Sequence, residues 1–156
     1  MVGILASAVA LMPVYLFACT GEIITEKSGH LNLGIPGIVC AGGAGGSLGV
    51  FIYANAVGAG SANYIVLILV ALLGAIIFGA LLGSIYAFLT VSLRCNQNIS
   101  GLALTTFGTG LSDFIMKSFV DHNVTAGVSL TFNASLPFAN KLGWFGQIFL
   151  SHGIFV

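Results

Sequence analysis

Residues 64–93 read YIVLILVALLGAIIFGALLGSIYAFLTVSL, a stretch in which no side chain carries a charge. As an α-helix it would be about 45 Å long, whereas the hydrocarbon core of a bilayer is about 30 Å thick. Arg94 ends the stretch. The run is too long and too apolar for a helix of a soluble domain, so it predicts a transmembrane helix that tilts or protrudes from the bilayer.

The composition of the whole chain leads to the same class of protein. Only 5% of the 156 residues are charged and 58% are hydrophobic, and the mean hydropathy is +1.10. Soluble domains carry about 25% charged residues. Four basic and four acidic residues cannot keep a soluble globule dispersed, and they form no basic patch for nucleic acid. The composition therefore excludes a soluble domain and a nucleic-acid-binding protein.

Further apolar stretches predict more membrane helices. With the first stretch they give four full spans near 2–20, 36–57, 64–93 and 99–120, and an incomplete fifth near 142–156. We therefore expect an all-α fold, a polytopic transmembrane helix bundle that forms one integral-membrane domain over the whole chain. Because the chain stops inside an apolar run, we also expect it to be truncated at its C-terminus.

The segments between the spans hold most of the polar residues. Residues 21–35 contain three of the eight charges, and we interpret them as a connection before a helix that starts near residue 36. The fourth span, 99–120, is weaker because it carries several hydroxyl groups and two charges. These charges, Asp113 and Lys117, are four residues apart and can pair on one helix face.

Small residues recur every four positions in two of the predicted spans, which lets helix backbones approach closely. The rows are Gly37, Ala41, Gly45 and Gly49 in one span, and Ala75, Gly79, Gly83 and Ala87 in the next. The simpler interpretation is general bundle packing. The alternative is that the glycine-rich helix lies beside a pathway and shifts during transport.

Two polar stretches carry a family resemblance. Residues 21–37 read GEIITEKSGHLNLGIPG, and residues 93–104 read LRCNQNISGLAL. The first resembles the first signature of the integral-membrane permeases of ATP-binding-cassette importers, in the branch that includes nucleoside and simple-sugar permeases and, more distantly, branched-chain amino-acid permeases. The second is similar to the polar turn and following helix of the nucleoside-type members. Lys27 and Pro36 depart from the pattern, where arginine and an acidic residue are usual.

The resemblance implies roles for three groups of residues. The signature loop would consist of Glu22, Glu26, Lys27, Ser28, Gly29, Asn32 and Gly34. The contact with the ATPase would consist of Arg94, Asn96, Gln97 and Asn98. Hydroxyl and amide groups suited to a nucleoside or sugar pathway are those of Asn32, Thr105, Thr106 and Thr109, although hydrogen bonding within the bundle would use the same residue types. Likewise, the alternative for the polar turn is that Asn98 only caps a helix beginning at Ile99.

The resemblance also implies partners and a location. A permease subunit works with an ATPase subunit, a second permease subunit in a homo- or heterodimer, and an extracytoplasmic substrate-binding protein. It lies in the bilayer as a multi-pass protein of a bacterial inner membrane. The chain has no Walker A sequence, so we expect it neither to bind ATP nor to be an enzyme, and we expect no cofactor or metal.

Two other function classes stay open from the sequence. A small structural or assembly protein of the membrane would need the glycine faces only for helix association. A membrane enzyme is the weakest class, because Ser28 with His30 and Ser151 with His152 lack an acidic partner in a recognisable arrangement. The charged residues do not orient the chain, since the two sides of the predicted topology carry two basic residues each.

Overall fold

The computed structural model describes residues 2–58 and 63–120, and these residues are helical throughout apart from short connections. The helices are α1 (Val2–Lys27), α2 (Ile35–Val57), α3 (Tyr64–Ala87) and α4 (Gln97–Ile115). Single π-helical turns, Phe88–Ser92 and Met116–Val120, continue α3 and α4. This architecture confirms the predicted all-α fold. The predicted incomplete span 142–156 lies outside the described residues.

Three of the described helical stretches are long and apolar enough to cross a membrane: Ser7–Lys27, Ile35–Val57 and Ile65–Ser92. The α4 helix is the least apolar, as the sequence predicted. Near its end the Lys117 Nζ lies 3.8 Å from Asp113 Oδ2, with both side chains exposed. The predicted pairing of these two charges is therefore confirmed.

The chain divides into two compact units, residues 1–19 with 125–156, and residues 20–124. Of the first unit the structure describes 2–19, the uncharged part of α1. The second unit contains the charged end of α1 together with α2, α3 and α4. All contacts discussed below lie within this second unit.

The α1 helix continues past the predicted end of the first span. It includes Glu22, Glu26 and Lys27, so the prediction that 21–35 is entirely a connection was wrong. Glutamate and lysine are good helix formers, and their charged ends can extend from a helix terminus toward water. The true connection to α2 is therefore short, residues 28–34.

A glycine ends α1. Gly29 has a φ of +86°, in the left-handed region that costs glycine little. Its N–H donates to the Glu26 carbonyl (2.9 Å), and the His30 N–H donates to the Thr25 carbonyl (3.2 Å). This pair of bonds is the Schellman cap of a helix C-terminus. The cap turns the chain sharply and directs residues 30–34 back toward α3 and α4.

The α2 helix packs against α3 and α4 at points where glycines let the backbones touch. A Cβ on Gly37 would lie 2.6 Å from the Leu104 carbonyl oxygen of α4, and one on Gly108 would meet the Gly37 carbonyl. On the other side, a Cβ on Gly45 would lie 2.7 Å from the carbonyl oxygen of Gly74 on α3. The predicted row of small residues on α2 therefore makes close helix contacts.

The predicted row on α3 is only partly used. Gly74, which lies outside that row, makes the tight contact with α2, whereas a Cβ on Gly83 would meet nothing within 4 Å. A four-residue repeat identifies a helix face, but the partner helix determines which part of that face is covered. The small apolar core nearby joins residues of α2, α3 and α4: Ala41, Leu82, Tyr86 and Leu104.

Alanine at Gly37 should lower the free energy of unfolding by about 1–3 kcal/mol, because the new methyl group would force α2 and α4 apart. Gly43 on the same helix is the matched control, since a Cβ there would meet nothing within 4 Å. Its alanine variant should be neutral or up to about 1 kcal/mol more stable. Denaturation with sodium dodecyl sulfate in mixed micelles, followed by circular dichroism, measures both. If both variants unfolded at the same fraction of sodium dodecyl sulfate, the close contact between the α2 and α4 backbones would be contradicted.

Candidate functional site

The connection 28–34 is held by side chains that reach it from α3 and α4. The Leu31 N–H donates to Gln97 Oε1 (2.8 Å), and the Tyr86 hydroxyl donates to the Leu31 carbonyl (2.5 Å). The Thr105 hydroxyl donates to the Leu33 carbonyl (2.7 Å). Side chains far away in the sequence therefore satisfy backbone groups that have no helical partner.

The remaining bonds come from α1 and from the connection itself. The Asn32 N–H donates to Glu22 Oε1 (3.0 Å), and the Gly34 N–H donates to Asn32 Oδ1 (2.9 Å). The Asn32 carbonyl accepts from the Ile35 N–H (3.4 Å) at the start of α2. Backbone amides and carbonyls that lack a helical partner cost free energy when they are left unpaired, so these bonds stabilise the non-helical segment between α1 and α2.

A glycine brings α4 directly against this connection. A Cβ on Gly101 would lie 2.9 Å from the Leu33 Cβ and 3.0 Å from the Gly34 nitrogen. Any larger residue would separate α4 from the connection and lengthen the hydrogen bonds to Gln97 and Thr105.

Gln97 contacts two consecutive residues of the connection. In addition to the bond from Leu31, its Nε2 lies 2.9 Å from Nδ1 of His30. The side chain is half-buried. Gln97 was predicted to contact an ATPase, and the structure also places its amide inside the chain.

Asn96 caps α4. Its Oδ1 accepts from the N–H groups of Asn98 (3.0 Å) and Ile99 (3.3 Å), so the helix begins at Gln97. The alternative in which Asn98 caps a helix that starts at Ile99 was therefore wrong. Asparagine favours the cap position because its short side chain reaches the free N–H groups of the first turn.

The turn between α3 and α4 contains a backbone outlier at an exposed cation. Arg94 has a φ of +53°, a left-handed conformation that disfavours residues with a Cβ by about 1–2 kcal/mol. The Cys95 N–H donates across this turn to the Leu89 carbonyl (3.0 Å). Glycine would fit the position with less strain, because it has no Cβ.

A cleft of about 380 Å³ lies between the end of α1, the connection and the last turns of α3. It combines hydroxyl, imidazole and amide groups with apolar surface. Its lining is Ile24, Thr25, Ser28, His30, Asn32, Gly83, Tyr86, Ala87, Thr90 and Val91. A mixed wall of this kind suits a small polar molecule or side chain.

Nothing in the described part of the chain resembles a metal centre. Residues 2–58 and 63–120 contain no group of three or more His, Cys, Asp or Glu side chains placed to hold an ion. Glu22 is the notable carboxylate. Its Oε1 binds the Asn32 amide, while its Oε2 is buried and no hydrogen-bond partner among the described residues reaches it.

The structure brings together only part of the predicted site. Glu22, Asn32 and Gly34 join Gln97 and Thr105 at the connection. The side chains of Glu26, Lys27, Ser28, Arg94 and Asn98 are exposed. Thr106 and Thr109 are also exposed, and their hydroxyls donate to carbonyls of their own helix.

Sequence reasoning missed Tyr86 and Thr90. The Tyr86 hydroxyl holds Leu31, and the buried Thr90 hydroxyl donates to the Tyr86 carbonyl (2.9 Å). The sequence contained a clue to these two residues, because they are polar and lie near the end of an otherwise apolar run. The role of Tyr86 could not be found from spacing, however, because it depends on Leu31, which lies 55 residues away.

Comparisons with known proteins identify relatives of the chain. The profile of the family described as branched-chain amino acid transport system / permease component matches residues 3–155. A putative glucose ABC transporter permease protein of Haloferax volcanii is 37% identical over 133 residues, covering 83% of this chain and 36% of that protein. No solved structure matches the chain.

Two further relatives are named for nucleosides. A guanosine ABC transporter permease protein of Bacillus subtilis is 29% identical over 94% of this chain and 44% of its own length. A nucleoside ABC transporter permease protein of Lactococcus lactis is 27% identical over 87% of this chain and 41% of its own length. The chain thus spans less than half the length of the three relatives named here.

Valine at Thr105 should lower the free energy of unfolding by about 0.5–1.5 kcal/mol, because it keeps the shape of the side chain but leaves the Leu33 carbonyl without its donor. The neighbouring Thr106→Val is the matched control. Its hydroxyl binds only the Leu102 carbonyl of the same helix, so its effect should stay within about 0.5 kcal/mol. Unfolding in mixed micelles compares the two. A larger loss at Thr106 would contradict the role given to Thr105.

Proposed function

Since the chain belongs to the family of permease components of branched-chain amino acid transport systems, we propose that it forms part of the permease subunit of an ATP-binding-cassette importer for a nucleoside or a simple sugar. Its described helices include three that can cross a membrane, as a multi-pass protein of the cell membrane requires. The names of the relatives support the substrate class.

One observation carries this proposal. The two stretches that resemble the importer permeases, residues 21–37 and 93–104, are far apart in the sequence and touch in the fold. Gln97 of the second stretch binds Leu31 of the first, and Gly101 lies against Gly34. A protein that used its helices only for association would not need this contact between two polar stretches, and the relatives do not favour such a structural role.

The substrate path in this proposal runs beside α4 and the connection. Thr105, Thr106 and Thr109 supply hydroxyls along α4, and Asn32 supplies an amide at the cleft. All three hydroxyls already donate, Thr105 to the Leu33 carbonyl and the other two to carbonyls of α4, so each would meet the substrate as an acceptor. Hydroxyl and amide groups in an otherwise apolar wall suit the sugar hydroxyls that nucleosides and simple sugars share.

The partners follow from the same proposal. An ATPase subunit supplies the energy, because the chain has no Walker A sequence of its own. An extracytoplasmic binding protein delivers the substrate, and a second permease subunit completes the path. The chain is then a transporter component rather than an enzyme.

The ATPase contact in this proposal is the segment 94–98, which we name the coupling segment. Arg94 presents a planar charged group on an exposed turn, suited to a carboxylate of the ATPase. Asn96, Gln97 and Asn98 follow at the start of α4. The coupling segment and the exposed end of α1 with Glu26 and Lys27 would then face the cytoplasm.

Deletion of the gene in its native host tests the substrate class. High-affinity uptake of tritiated guanosine or of radiolabelled glucose should be lost, and uptake of labelled leucine should be unchanged. A plasmid copy of the gene is the control and should restore the lost uptake. If only leucine uptake falls, or if no uptake changes, the proposed substrate class is wrong.

Glycine at Arg94 tests the coupling segment, because it relieves the left-handed backbone and removes the charge in one step. The variant should fold at least as stably as the wild type. Its affinity for the ATPase subunit should fall at least about tenfold, since truncating one partner of a buried charge pair costs about 2–5 kcal/mol. Titration of the ATPase onto the chain in lipid nanodiscs measures this.

The control for this experiment is Lys117→Ala, which removes an exposed cation at the far end of α4. It should leave the affinity for the ATPase unchanged. Wild-type affinity in the Arg94 variant would mean that the turn only joins two helices.

A further inference from the structure

We propose that Gln97 is a positioning residue that ties the coupling segment to the connection 28–34, so that movement of one moves the other. The inference rests on the proposed function, because it assigns a path from the ATPase contact into the bundle. It names the specific link, the backbone of Leu31, and that link can be tested in the chain alone.

The first step concerns the position of Leu31. Its N–H is held by Gln97 from α4, and its carbonyl is held by Tyr86 from α3. In the sequence, Tyr86 precedes the coupling segment and Gln97 lies within it. The turn that carries Arg94 therefore lies between Tyr86 and Gln97, which both hold Leu31. A displacement of this turn would act on both hydrogen bonds of the Leu31 backbone.

The second step concerns the Gln97 amide. The Leu31 N–H can only donate, so it fixes the Gln97 Oε1 as its acceptor. The amide NH₂ then faces His30 Nδ1 at 2.9 Å and donates to it, which places the imidazole proton of neutral His30 on Nε2. A carboxamide in one orientation thus satisfies two neighbouring residues of the connection, and both bonds are set by the start of α4.

The third step concerns stiffness. Asn96 caps α4 immediately before Gln97, and Gly101 lets the α4 backbone rest against Leu33 and Gly34. Thr105 adds a bond one turn beyond Gly101. The first turns of α4 and the connection are therefore joined at several points, with Gln97 nearest to the coupling segment.

Hydrogen exchange of the Leu31 amide tests the link in the purified full chain in nanodiscs. Gln97→Met keeps the length of the side chain but removes the acceptor, so Leu31 should exchange about three- to tenfold faster. Gln97→Glu keeps an acceptor for Leu31, and His30 can donate to its second oxygen from Nδ1, so protection should stay at the wild-type level. Ser84→Ala on α3 is the control, since its exposed hydroxyl donates to the Ala80 carbonyl of the same helix, and it should also leave the exchange of Leu31 unchanged.

The second arm adds the ATPase subunit. In the wild type, its binding should change the exchange of Leu31. In Gln97→Met, compared at an ATPase concentration that saturates the variant, binding should leave the exchange of Leu31 unaffected. Gln97→Glu should restore the change in Leu31 exchange on ATPase binding. A general loss of stability in the position 97 variants would not predict this recovery. Tyr86→Phe removes only the bond to the Leu31 carbonyl, and it should weaken the response without preventing ATPase binding.

Two results would overturn the inference. One is unchanged Leu31 exchange in Gln97→Met, and the other is a full Leu31 response to the ATPase in that variant. Failure of the wild-type chain to bind the ATPase would instead contradict the proposed function. The exchange measured in the chain alone would still decide whether Gln97 holds the connection.

Discussion

The backbone groups of residues 28–34 need hydrogen-bond partners, and side chains from the rest of the bundle supply them. Helices satisfy their own amides and carbonyls, but this short connection cannot, so its backbone groups need partners from other parts of the chain. Glu22, Tyr86, Gln97 and Thr105 each bind one of its backbone groups. The polar side chains that looked scattered in an apolar sequence thus serve one purpose, which is to hold a non-helical segment in place.

Close packing makes these bonds possible. The Gln97 amide and the Thr105 hydroxyl reach the connection because α4 lies directly against α2 and the connection, and glycines at both contacts remove the Cβ atoms that would intervene. Gly37 with Gly108 sets the approach of α2 to α4, and Gly101 sets the approach of α4 to Gly34. The small-residue contacts and the polar network therefore depend on each other, since loosening the first would lengthen the bonds of the second.

The contacts described above connect the family to specific residues of this chain. In the proposed function, a displacement at the ATPase contact has to reach the substrate path. The link in this chain joins the turn with Arg94 to the connection through Gln97 and Leu31. Arg94 and the end of α1 with Glu26 and Lys27 are exposed, and the proposed function assigns both to the cytoplasmic side.

The sequence by itself determined the three described helices that are apolar enough to cross a membrane, the less apolar fourth helix and the Asp113–Lys117 pair, because composition and four-residue spacing act within one helix. It also predicted Glu22, Asn32 and Gln97 as members of the site. Only the tertiary structure decided that Asn96 is the cap, that Tyr86 belongs to the site and that Thr105 differs from Thr106. The position of the cap was ambiguous because several neighbouring residues could fill it. The roles of Tyr86 and Thr105 depend on backbone groups 55 and 72 residues away. No local sequence pattern encodes which distant backbone group a side chain will meet.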